Sequence, residues 1–161
     1  MFLHFTEDSY EKALIGLFQS MGYEYAYGPD IERNYQEPYY LHQVWASLPI
    51  VNPSKHQNAI TEAIKKLTNI DSGDLAQKNG LFMDYLQNGI PVAYHDGKEI
   101  RHDIVYLIDY ENTYRNTFQI INQWTYVEKA EKRADLIVFV NGLPLVLIEL
   151  KSPSRDETDA S

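Results

Sequence analysis

Apolar positions recur every three to four residues near the start of the chain and every second residue near its end. Over residues 7–21, Leu14, Leu17, Phe18 and Met21 fall at helical spacing with Ala13 beside them, which predicts an amphipathic helix. Thr6 is its expected N-cap, Glu7 and Asp8 suit the positive end of its dipole, and Gly22 is a natural stop. "YEYAYG" alternates and predicts a short strand. Residues 29–38 are a polar loop. "YYLHQVWASL" predicts a short helix ending before Pro49. A second middle helix follows, with Ser54 as a possible cap and Ile60, Ala63, Ile64 and Leu67 as its buried stripe. A third closes at Gly89. These middle helices carry no clustered acids, histidines or glycine-rich loop.

From residue 90 the period changes to two. Asp96-Gly97 signals a hairpin, flanked by His95 and His102, which could face each other across it. "NTFQIINQWTYV" reads as the next strand, and Asn141-Gly142 marks a second hairpin turn. The order is one helix, a small strand, a helical middle and a β-rich end. This predicts one α/β domain over residues 1–152 with a central sheet, a helical insertion at about 39–88, and a polar tail over 153–161.

Composition adds exclusions. The 161 residues are 44% hydrophobic and 23% charged, as in a globular domain. With no cysteine, disulfides and thiolate metal sites are ruled out. Neither an apolar membrane span nor a signal-peptide pattern occurs, which points to a cytoplasmic protein without a membrane partner. The net charge of −9 argues against broad electrostatic capture of nucleic acid by this chain alone. The alternating Tyr23, Tyr25 and Tyr27 read as one face of a strand rather than a base-stacking platform.

Three charges interrupt the apolar hairpin "RADLIVFVNGLPLVLIELKSP": Asp135, Glu149 and Lys151. Glu149 and Lys151 are two residues apart, so they share a strand face at a spacing of roughly 6–7 Å. A two-residue turn at Asn141-Gly142 sets Asp135 opposite Ile148, with Glu149 one register step away; a twist or bulge would bring the two carboxylates together. Paired carboxylates are costly in an apolar sheet. A Mg²⁺ ion, which takes hard oxygen ligands and substrate phosphates, reverses that cost. The plainer reading is a solvated Glu149–Lys151 ion pair at a strand end.

"ADLIVFVNGLPLVLIELKSP" resembles the nuclease signature of the PD-(D/E)XK superfamily, and more narrowly the N-terminal domain of the restriction (R) subunit of type I restriction-modification enzymes. The matching positions are Asp135, the turn Asn141-Gly142-Leu143-Pro144, and Ile148-Glu149-Leu150-Lys151. "NTFQIINQWTYV", "NGIPVAYHDGKEIRHDIVYLIDYEN" and "FTEDSYEKALIGLFQSMGYEYAYG" resemble the family's preceding elements, so the likeness covers most of the chain.

The resemblance implies a restriction-endonuclease-like core, a mixed β-sheet flanked by helices. It implies a Mg²⁺-dependent DNA endonuclease that hydrolyses phosphodiesters with metal-activated water. Asp135 and Glu149 would hold Mg²⁺, and Lys151 would be the catalytic lysine. Glu11 on the first helix would add a further metal-binding acid, with Glu7 one turn earlier as its alternative. Ser152 would lie close enough to touch phosphate, or would serve as a cap. Double-stranded DNA and the modification and specificity subunits would be partners.

The family's Gln-x-x-x-Tyr helix and its ATP-binding loop are both missing from this sequence, so a C-terminally truncated fragment is expected, one prone to self-association and with ATP used only in motor domains outside it. Rival readings are a resolvase or repair nuclease on the same core, or a catalytically inactive DNA-binding or assembly module.

Overall fold

A computed structural model describes residues 6–70 and 74–151. In chain order the elements are α1 (Glu7–Ser20), β1 (Glu24–Tyr27), α2 (Leu41–Val51), α3 (Gln57–Thr68), α4 (Leu75–Asn88), β2 (Ile90–His95), β3 (Ile100–Val105), β4 (Phe118–Val127), β5 (Glu131–Val140) and β6 (Leu143–Ile148). They fall into two compact units. One joins the chain up to Tyr40 with the chain from Thr117 onward, and the other is Leu41–Asn116.

The first unit is an α/β layer. Its mixed sheet has the order β1-β4-β5-β6, with β1 parallel to β4 and the remaining neighbours antiparallel. Thr6 caps α1 as expected, accepting from the Ser9 amide while the Ser9 hydroxyl closes the box on the Thr6 amide. Gly22 ends the turn beyond the helix with φ 94°.

The buried stripe of α1 is rotated from the expected one. Ile15 is its buried residue, with Leu14 and Phe18 packing beside it, whereas Leu17 and Met21 face solvent at 55% and 57% exposure. The sheet offers α1 the apolar face of Ile120, Leu136 and Val138, and Ile15 with its neighbours covers it. The opposite face of the sheet gathers Ile121, Trp124, Ala134, Ile137 and Phe139.

β5 starts at Glu131, because the ten-residue β4 pairs with it down to Val127↔Glu131. Asp135 therefore lies inside a strand.

In the second unit, α3 buries Ile60, Ala63, Ile64 and Leu67 as its spacing predicts and packs on the β2–β3 hairpin. Its cap is His56 rather than Ser54, with the ring Nδ1 accepting from the Asn58 amide at 3.0 Å. α2 does not stop before Pro49. The proline falls in the last turn, where it removes only its own missing donor, and the ladder resumes with the Asn52 amide bonded to the Leu48 carbonyl at 2.9 Å. His95 pairs with Ile100 and His102 with Ala93, so the two histidines are not cross-strand partners. Among the described residues no helix is long and apolar enough to cross a membrane. Ser152 and the 153–161 tail lie outside the described residues.

Candidate active site

The site begins with the turn between β5 and β6. Asn141 and Gly142 have φ 53° and 81°, so both central residues are left-handed, the conformation for which Asn-Gly is the favoured dipeptide. Pairing starts in the register that a two-residue turn dictates, Val140↔Leu143 and Phe139↔Pro144. It then slips by one, to Val138↔Val146, Ile137↔Leu147 and Leu136↔Ile148. Leu145 is the extra residue of this β-bulge. One step beyond the last pair, the slipped register sets Asp135 opposite Glu149. Without the bulge Asp135 would face Ile148. A single inserted residue therefore brings the two carboxylates together.

Asp135 also shapes the chain that follows β6. Its Oδ2 accepts from the Leu150 amide at 2.7 Å, so a side chain replaces the ladder where β6 has ended. Ile148 and Leu150 pack against the α1 face of the core, which anchors Glu149 between two apolar neighbours. Burial of part of the Glu149 carboxyl, the negative charge of Asp135 and a hydrogen bond shared with Asp135 together hold the Glu149 pKa above its ordinary value. Glu149 as a whole remains exposed.

The raised pKa has a signed consequence. A carboxyl whose folded pKa exceeds its unfolded one favours folding most at low pH, and that contribution is lost as pH rises through the folded value. Glu149→Gln should therefore raise the thermal unfolding midpoint at pH 8 and leave it nearly unchanged at pH 3, as read by calorimetry. An equal change at both pH values would exclude charge repulsion as the cause.

Glu11 is half-buried on α1 and accepts a hydrogen bond at 2.9 Å from Gln123 Nε2 on β4, the strand beside Asp135. Glu7 is one helical turn earlier. Among the described residues no three His, Cys, Asp or Glu side chains gather closely enough to hold a metal ion, so Glu11 stands apart from the Asp135–Glu149 pair. Lys151 is exposed, two residues beyond Glu149, and forms no ion pair among the described residues.

Sequence reasoning passed over Gln123. The only signal for it was the polar pair Asn122-Gln123 interrupting an otherwise apolar strand.

Fold and site together define a class: an α/β domain whose mixed sheet presents a carboxylate pair at a strand end, compatible with a nuclease fold. Comparison with known proteins narrows it. The model of the type I restriction enzyme R protein N terminus matches residues 4–161. The chain is 33% identical over 164 residues to the type I restriction enzyme HindI endonuclease subunit of Haemophilus influenzae, covering 96% of this chain and 16% of that protein. It is 31% identical over 126 residues to the EcoprrI endonuclease subunit of Escherichia coli, covering 69% of this chain and 40% of that sequence. This chain belongs to the type I restriction enzyme R protein N-terminal family. It spans about one-sixth of the length of the HindI subunit.

Proposed function

We propose that this chain is the DNA-cleaving domain of a type I restriction enzyme R subunit, with a PD-(D/E)XK-type site at the end of the β5–β6 hairpin. The observation that carries the reading is the bulge-set register that puts Asp135 opposite Glu149, two residues before Lys151. The donor set suits Mg²⁺: two adjacent carboxylates supply hard oxygens, and Mg²⁺ commonly takes one or two carboxylates and fills its remaining positions with water and phosphate.

Asp135 and Glu149 would hold the ion, and Glu11 on α1 would act on it only through its water shell. Bound there, Mg²⁺ would supply Lewis acidity, lowering the pKa of water and offsetting charge on a DNA phosphate. The chain's own residues do the rest. The Leu150 amide fixes one oxygen of Asp135 and so orients the carboxylate toward Glu149. The Lys151 ammonium, which forms no ion pair among the described residues, is available to orient a scissile phosphate or to exchange a proton with the attacking water.

Double-stranded DNA is the proposed substrate. The modification and specificity subunits are the proposed partners, with sequence recognition assigned to the specificity subunit. The test is Asp135→Ala in the full R subunit assembled with those partners. DNA cleavage should fall to background while ATP hydrolysis persists, and saturable Mn²⁺ binding should be lost. Wild-type cleavage by Asp135→Ala would overturn the assignment.

A further inference from the structure

Among the described residues, Gln123 alone combines a place inside a β-strand with a left-handed backbone, φ 52°. For a residue other than glycine that conformation is unfavourable, because Cβ crowds the following carbonyl oxygen. Strain of this kind persists only where the surroundings enforce it, and it concentrates at functional sites.

The surroundings here are specific. Asn122↔Leu136 and Trp124↔Ala134 are paired, but Gln123 and Asp135 between them are not. Ile121 and Trp124, three residues apart, lie in one apolar cluster, as do Ala134 and Ile137. Both strands therefore turn over together at the Gln123–Asp135 step. Regular alternation would send Gln123 to the face of Ile121 and Trp124, where its amide would have no polar partner. The left-handed step instead sends Asn122 and Gln123 to the α1 face one after the other. Asn122 Oδ1 accepts from the Tyr25 hydroxyl at 3.0 Å, and Gln123 Nε2 donates to Glu11 Oε1 at 2.9 Å. Gly28 fastens the step from outside. A Cβ there would come within 2.6 Å of the Gln123 carbonyl oxygen and would collide with that of Asn122, so only glycine lets the turn after β1 press against this backbone.

We propose that Gln123 is a positioning residue for the hydrolytic site: it ties the Glu11 carboxylate to the β4 step that lies across from Asp135 on β5, and the left-handed step exists to make that contact. The proposal rests on the nuclease reading. Gln123 occupies one oxygen of Glu11, which leaves the other for the hydration shell of a bound cation. Partners of this kind, one step removed from a metal, typically account for 10–100-fold in metal affinity or activity.

The test uses the full R subunit with Mn²⁺ as probe, followed by electron paramagnetic resonance, together with thermal unfolding and DNA cleavage. Gln123→Gly deletes the amide and relieves the backbone, so the variant should be at least as stable as wild type. It should bind Mn²⁺ about 10–100-fold more weakly and cleave correspondingly slowly. Gln123→Glu sets two carboxylates against each other and should weaken Mn²⁺ binding as well. A merely structural residue would move the unfolding midpoint without moving Mn²⁺ affinity in the stable glycine variant. Wild-type Mn²⁺ affinity and cleavage in Gln123→Gly overturn the positioning role. If Asp135→Ala, run alongside, has lost both, the nuclease reading stands without it. If Asp135→Ala also retains both, the nuclease reading and the positioning role fall together.

Discussion

If the proposed site is correct, Lys151→Ala in the assembled enzyme should lower DNA cleavage by about 10²–10⁴-fold, the range expected for removing a positioned proton-transfer group. Mn²⁺ affinity at Asp135 and Glu149 should stay close to wild type. The two readouts separate because of where Lys151 stands. It follows Glu149 with one residue between, on the exposed run after β6, and pairs with no acid among the described residues. Its charge is therefore spent on neither the carboxylate pair nor the core. Lys151→Arg keeps the charge but not the compact, titratable ammonium. It should rescue DNA binding without restoring the rate if proton exchange is the role, and should restore both if charge alone matters. Undiminished cleavage by Lys151→Ala would remove the lysine from the site.

The largest effect on stability is expected at Trp124. Its ring is 1% exposed and packs 4.7 Å from Phe139 and 5.9 Å from Tyr40, centroid to centroid. The Arg33 guanidinium lies 3.4 Å from its centroid and donates to the carbonyls of Thr125 and Glu37. Burial pushes the Arg33 pKa down to about 10, which still leaves the group cationic at neutral pH. Trp124→Ala thus leaves a large cavity and strips a half-buried cation of its aromatic cover. Deletions of this kind cost about 3–5 kcal/mol, with a further contribution of about 0.5–2 kcal/mol from the cation–π contact. Urea unfolding should show the loss in the midpoint with little change in slope. A loss below about 1 kcal/mol would mean that this cluster is not the core of its unit.

Most of the elements were legible because their signals are local. The Thr6 cap, the α3 stripe and the Asn141-Gly142 turn each depend on a few neighbouring residues whose propensities agree. The candidate site was legible in composition but not in register. Asp135, Glu149 and Lys151 could be chosen from the sequence, yet the turn alone set Asp135 against Ile148. The correction is a bulge at Leu145, in a run of Leu and Val that carries no glycine to announce it. Gln123 was invisible for a similar reason. Its conformation is enforced by Gly28 and Glu11, far away in sequence, and nothing in glutamine itself favours a left-handed strand position. The phase of α1 is not legible because Leu14, Leu17, Phe18 and Met21 are as periodic as the true stripe, and only the sheet chooses between them.

The Asn141-Gly142 turn does more than reverse the chain. The Gly142 carbonyl accepts from the Tyr40 amide at 2.9 Å, the Asn141 amide donates to the Thr117 carbonyl at 2.9 Å, and the Asn141 side chain accepts from the Thr117 amide at 2.8 Å. Tyr40 and Thr117 are the last residue before the Leu41–Asn116 unit and the first after it. One buried turn thus grips both stumps of a 76-residue excursion (residues 41–116). Closing a longer loop between fixed ends costs only about 0.6 kcal/mol for each doubling of its length. The chain between Tyr40 and Thr117 is consequently a socket: its contents can be lengthened, shortened or exchanged over evolutionary time while the carboxylate pair on the adjoining hairpin keeps its register.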